Sequence, residues 1–363
     1  MTTSKNPSVK VGVVVRVFEK TIEQSSTLMK FSISICLLLL GCPLVFTPAH
    51  AQPQAAHKTW TDPETALRED PDFAIQGEYA GEETAAAMGA QVVALGRGEF
   101  DVYLLEGGLP GAGWEPGKWR MRLHAVSKNG KITASDEATQ AKVTLESGSL
   151  TVVTGDSTKH MLTRIQRSSP TLGAKPPGDA IILFGGSSTE KWQNAKMESG
   201  HLTANGSTTL SRFKSYILHL EFRTPYMPTD RGQQRGNSGV YHSGRWETQI
   251  LDSFALEGQD NECGGIYSIS KPRLNICLPP LAWQTYDVEF TAAKFDASGK
   301  RTDWPRITVK LNGVLVHEKL ELAKDFTTSA PISGPLTAPD GPLHLQNHNN
   351  PVVFRNIWIV PEK

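Results

Sequence analysis

Residues 237–252 read Asn-Ser-Gly-Val-Tyr-His-Ser-Gly-Arg-Trp-Glu-Thr-Gln-Ile-Leu-Asp. A β-strand turns successive side chains to opposite faces. Over this stretch Arg245, Glu247 and Gln249 share one face, and Trp246, Thr248 and Ile250 share the other. The second face suits a core. The first sets a cation, a carboxylate and an amide in a row, which is what a sugar-binding cleft needs on a sheet.

The same alternation recurs on both sides of this stretch. Tyr216, Leu218, Leu220 and Phe222 alternate with His219, Glu221 and Arg223, and the strand from Trp283 to Phe290 puts Tyr286, Val288 and Phe290 on one face. Asn312-Gly313 between two apolar runs is a type I′ hairpin signal. Leu343 to His348 sets His344, Gln346 and His348 on one face, and Val352 to Val360 is a last apolar strand carrying Arg355. Many short strands with this pattern predict an all-β protein whose C-terminal part is a two-sheet jelly-roll sandwich with a concave face.

Upstream, Gly96-Arg97-Gly98 and Asn129-Gly130 mark hairpins among further strand-like runs up to Arg167, and a short helix is expected near Pro63 to Arg68. These runs predict a smaller β-rich domain over residues 52–167, in which no catalytic constellation stands out. Residues 168–179 hold two serines, three prolines and two glycines, a linker composition. The second domain then runs over 180–363.

The 363 residues include 37 Lys and Arg against 37 Asp and Glu, so no charge excess argues for a nucleic-acid partner. Residues 1–51 read as a leader. Lys30 precedes the apolar run Phe31 to Phe46, and Ala49-His50-Ala51 fits a small-x-small cleavage site. Met29 offers a second start. The run is short for a membrane span, so a periplasmic or extracellular protein without a span is expected. Leu39-Leu40-Gly41-Cys42 leaves a lipoprotein anchor as the rival. Cys263 and Cys277 remain in the mature part, an even pair that export would allow to form a disulfide, with two buried thiols as the alternative.

Several ordered motifs in the second domain match a known family. They are Asn237 to Tyr241, Arg245 to Asp252, Gly264 to Tyr267, Trp283 to Val288, Asn312 to His317, Gly341 to His348 and Val353 to Trp358. The domain resembles the 3-keto-disaccharide hydrolases, also named for 3-keto-glucoside 1,2-lyase and 3-keto-2-hydroxy-glucal hydratase activity. The resemblance spans essentially all of residues 180–361. It implies a concanavalin-like lectin/glucanase sandwich and an exported protein acting on an oligosaccharide or glycoside. One departure is Ile181 to Ser187, where relatives more often read like Leu-Phe-Asp-Gly-Lys.

The chemistry so implied needs a base near C2 of the sugar, an acid near the leaving oxygen and a group that steadies an enolate. Glu247 is the first candidate for the base and His348 for the acid or the enolate. Arg245 and Arg355 could hold developing negative charge. Gln249, Gln346 and Tyr267 would read hydroxyl groups, with Asp252 and His242 as further candidates. Plainer readings stand beside these: Glu247 paired to Arg245, Arg355 paired to a buried carboxylate such as Asp252 or Glu247, and Trp246 packed in the core. A divalent metal could bind where carboxylate, amide and imidazole converge, but no ligand spacing defines one. Two other functions remain open, a retaining glycosidase and a non-catalytic carbohydrate-binding module.

Overall fold

The computed structural model describes residues 57–81 and 87–362. The leader, with both of its proposed starts and its cleavage site, lies outside the described residues. Those residues are nearly all β and belong to one compact unit.

Two short helices, Pro63–Glu69 and Pro71–Ile75, open the described chain. Each starts on an aspartate that caps it and has a proline in the first turn, where the missing N–H costs nothing. Asp62 accepts from the Thr65 amide at 2.7 Å, and Asp70 from the Asp72 amide at 3.0 Å.

Eight antiparallel strands between Gly77 and Ile165 then close into a barrel. Closure removes both sheet edges. The interior is filled by side chains of mixed size, such as Ala90, Val92, Leu145, Val152 and the larger Phe100, as expected for a barrel of this size. The hairpin at Arg97-Gly98 and the one at Asn129-Gly130 both use left-handed backbone, as their sequences require.

The rest of the chain is a jelly-roll sandwich of two sheets. The larger sheet centres on Tyr216–Arg223, which pairs with Gln284–Thr291 on one side and Val353–Pro361 on the other. The smaller runs in the order 192–193, 207–209, 344–345, 238–242, 246–250. Between them lies the main core. Tyr216, Leu218, Leu220 and Phe222 from the larger sheet belong to one cluster with Val240, Trp246 and Ile250 from the smaller. Trp246 is 1% exposed and donates its indole N–H to the Lys324 carbonyl at 2.7 Å, so it is core and not a sugar platform.

The proline- and glycine-rich segment 168–179 is docked rather than free. Ser169 hydrogen-bonds Thr285 at 2.6 Å, Thr171 donates to Asp287 at 2.6 Å, and the Gly173 amide donates to Glu221 at 2.6 Å. The physical reason lies in the larger sheet. Its strand Tyr216–Arg223 sends His219 and Glu221 to the side away from the core; Asp287, itself held by Thr171, partners His219, and the Gly173 amide partners Glu221.

Cys263 and Cys277 are both buried free thiols, which corrects the expected disulfide. They neighbour each other, but each sulfur is otherwise engaged. The Cys263 Sγ lies 3.4 Å from the Tyr286 hydroxyl, and the Cys277 Sγ 3.5 Å from the Leu251 carbonyl. Among the described residues no helix is long and apolar enough to cross a membrane.

Candidate functional site

The hairpin Ser238–His242 and Trp246–Ile250 builds the site. Ser243 and Gly244 both have left-handed backbone, φ 51° and 66°, and the Arg245 amide donates to the His242 carbonyl at 2.9 Å. That is a type I′ turn, whose twist suits the hairpin. The register pairs Gly239 with Gln249 and Tyr241 with Glu247. These four residues therefore share one face, while Val240, His242, Trp246, Thr248 and Ile250 turn to the core. The neighbouring strand His344–Leu345 pairs Tyr241 with His344, adding His344 to the same face.

Glu247 lies at the centre and is 1% exposed. Its Oε2 is 2.8 Å from the Tyr241 hydroxyl, and its Oε1 has no hydrogen-bond partner among the described residues. Burial pushes its pKa up to about 8, against a smaller lowering by the Tyr241 contact. Tyr241 shows how the proton is held. Its oxygen is near both Glu247 Oε2 and, at 2.9 Å, the Thr328 carbonyl, and Gln346 Nε2 donates to it at 3.2 Å. A phenol has one proton to give. With Glu247 protonated, the carboxyl donates to Tyr241 and Tyr241 donates to Thr328, so every contact is satisfied.

Gly239 makes room for this carboxyl. A Cβ at that position would sit 2.0 Å from Glu247 Oε1, so only glycine allows the side chain to lie across the neighbouring strand. Gln249 Nε2 donates to Asn237 Oδ1 at 3.0 Å, and Asn237 in turn donates to Gln233. The side-chain oxygens of Gln249 and Gln346 join Glu247 Oε1 as buried acceptors with no partner among the described residues. His344 takes a 2.8 Å hydrogen bond between Nδ1 and Thr208, stands edge-on to Tyr241, and is held neutral by burial down to about pH 4. Tyr267 is tied in through its amide, which donates to the Glu247 carbonyl at 3.0 Å. His344, Gln346 and Tyr267 are half-buried and form the accessible rim.

The structure thus brings Glu247, Gln249, Gln346 and Tyr267 together and separates the other sequence candidates from them. Arg245 precedes the strand and spends its guanidinium on the carbonyls of Asp325, Gly334 and Pro335, at 2.8 to 3.3 Å, so it anchors a loop and does not pair with Glu247. Arg355 is on the larger sheet, paired to Glu221 at 2.6 Å. The expected buried carboxylate is there, but it is neither Asp252 nor Glu247. Asp252 pairs with Arg235 at 2.7 Å beyond the strand end. His242 falls on the core face, bonded to Tyr216 and Thr248 at 2.9 Å each, and burial pushes its pKa down to about 3. His348 lies past the strand end, half-buried, and hydrogen-bonds none of Glu247, Tyr241 or Gln346. Tyr241 was missed. Its place opposite Glu247 follows from the turn, and reading Ser243-Gly244 as a two-residue hairpin would have found it. Among the described residues no three His, Cys, Asp or Glu side chains are grouped to hold a metal ion.

The fold is an all-β jelly-roll sandwich whose smaller sheet carries a polar, partly unsatisfied face. Residues 179–360 match the 3-keto-alpha-glucoside-1,2-lyase-like domain, and the chain belongs to that family. This makes it a carbohydrate-active protein. Among solved structures, a candidate glycosyl hydrolase from Parabacteroides distasonis is 31% identical over 51% of this chain and 84% of its own, with a TM-score of 0.45. Two others from the same organism are 17% and 22% identical, cover 51% and 50% of this chain and 94% and 99% of their own, and have TM-scores of 0.38 and 0.37. No curated protein matches the chain.

Proposed function

We propose that the protein cleaves glycosides of 3-keto sugars by elimination followed by hydration, at the face around Glu247. A keto group at C3 acidifies the hydrogen on C2. Ionised Glu247 takes that proton, the C2 electron pair forms the C1–C2 double bond, and the glycosidic oxygen leaves C1 with a proton from the site. Water then adds across the double bond, and the net change is hydrolysis. A base whose pKa is near the working pH gives efficient proton transfer, and burial supplies that shift for Glu247. Tyr241 links Glu247 to the half-buried Gln346 and holds the carboxyl in place. Gln249 and Gln346 accept from sugar hydroxyls. Neutral His344, rather than His348, is the imidazole beside the enolate.

The observation that carries this reading is the set of three unpaired acceptor oxygens, on Glu247, Gln249 and Gln346. Unpaired buried acceptors are costly, and a polyhydroxylated ligand supplies the missing donors. A retaining glycosidase would need a second carboxyl about 5 Å from the first. Here the next position on the face is an amide, and Asp252 is committed to Arg235. We also read the chain as exported, on the strength of residues 30–51.

The test incubates the mature protein with a 3-keto disaccharide and with its unoxidised parent. Cleavage of the keto sugar alone, with kcat/KM rising as pH passes about 8, is the expected result. Cleavage of the parent points to an ordinary glycosidase, and binding without turnover to a lectin-like module. Full activity in Glu247→Gln would remove Glu247 as the base.

A further inference from the structure

The family match begins at residue 179 and leaves the barrel without a role. The barrel meets the sandwich through a small apolar patch, Val93, Leu95 and Tyr103 against Phe254 and Ala255. A cavity of about 200 Å³ lies over this patch, and a neighbouring one of about 430 Å³ shares Tyr103, Arg122 and Leu256 with it.

The polar lining comes from both domains. Asp101 and Arg122 belong to the barrel, and Arg231, Arg235 and Asp252 to the sandwich. Two of these groups are buried and incompletely satisfied. Asp101 is 5% exposed. Its Oδ2 is 2.9 Å from Arg122, while its Oδ1 is 3.6 Å from His124, beyond hydrogen-bond reach, and has no partner among the described residues. Arg235 is 5% exposed. Its Nε binds Asp252, and its Nη2 has no partner among the described residues. Asp101 and Arg235, each with one unpartnered polar side-chain atom among the described residues, thus line the same cavity, at the domain junction where ligand sites are common.

The charges choose the ligand class. Across the two cavities four arginines face four carboxylates, Arg120, Arg122, Arg231 and Arg235 against Asp101, Asp252, Glu257 and Glu262. Such a balanced lining gives no net pull on an anion or a cation. A lining that holds a spare acceptor on Asp101, a spare donor on Arg235, apolar side chains and a tyrosine suits a neutral ring that has hydroxyls on its edge and C–H bonds on its face. We infer that the junction of barrel and sandwich is a second saccharide-binding site, taking one neutral pyranose ring between Asp101 and Arg235.

The site has a route to the face around Glu247. Arg235 sits two residues before Asn237, and Gln233 of the same loop accepts from Asn237 at 3.0 Å, while Asn237 accepts from Gln249. A sugar held at Arg235 therefore steadies the loop that orients Gln249. Binding at the junction does not depend on the chemistry at Glu247, and the two sites can fail separately.

The test uses the full mature chain carrying Glu247→Gln, titrated with methyl glucoside and followed by hydrogen exchange and by affinity. The expected result is slower exchange over residues 99–106 and 231–237. Adding Asp101→Ala should weaken this binding about tenfold or more, as loss of one charged hydrogen bond does. Tyr103→Phe, which keeps the ring and removes only the hydroxyl, should weaken it less. Protection confined to residues 238–250 and 344–346, affinity unchanged in both variants, or no binding of the sugar would each overturn the proposal. Melting curves on the variants separate lost binding from lost fold.

Discussion

Replacing Glu247 by glutamine should change how stability depends on pH, by an amount the structure sets. The carboxyl has an ordinary value of 4.5 when the chain is unfolded and about 8 when buried. Between those values the folded state holds a proton that the unfolded state has released. Stability is therefore fully present below about pH 4.5 and falls as pH rises toward 8, after which it levels. A tenfold difference in proton affinity between the two states is worth about 1.4 kcal/mol, so the whole window amounts to about 5 kcal/mol. Glutamine keeps the shape and cannot ionise. The assay is urea denaturation of wild type and Glu247→Gln from about pH 5 to about pH 9. The variant's advantage over wild type should grow by about 4 kcal/mol from pH 5 to pH 8 and stay constant beyond. Curves that run parallel to within about 1 kcal/mol across the range would refute the buried, protonated carboxyl, and with it the hydrogen bond that carboxyl donates to Tyr241.

Gly239→Ala puts a methyl group 2.0 Å from Glu247 Oε1. It should cost about 1–3 kcal/mol in denaturation and abolish turnover of a 3-keto glycoside while the circular-dichroism spectrum stays that of the wild type. Arg355→Met leaves Glu221 with its other partners but without its cation. Thermal melting should show a loss of about 1–3 kcal/mol, with cleavage by the still-folded protein unaffected, because Arg355 is on the sheet opposite Glu247. Alkylation of the unreduced, unfolded chain should label both Cys263 and Cys277 in a peptide mass map, and protection of the pair from alkylation would restore the disulfide.

Much of the fold can be read from local pattern. The alternation at Arg245 to Ile250, the turn at Asn312-Gly313 and the inward set Tyr216 to Phe222 each report a backbone geometry that neighbouring residues fix between them. Glu247 and Gln249 on one face, and Trp246 in the core, follow from the same period of two. The partners of the charges do not follow. Arg245 obeys the period on paper, but it sits outside the hydrogen-bonded strand, and a distant loop offers it three carbonyls. Arg355 finds Glu221 only because the strand Val353–Pro361 pairs with Tyr216–Arg223.

The sequence by itself determined the strand pattern, its turns and the shared face of Glu247 and Gln249, because alternation and turn chemistry act over a few residues. Tertiary structure alone decided that Glu247 is buried against Tyr241 and above Gly239, that His242 turns inward, that two cysteines stay thiols, and that barrel and sandwich enclose a polar cavity. Those outcomes depend on strand register and on which surfaces meet, and both are set by packing between residues far apart in the chain.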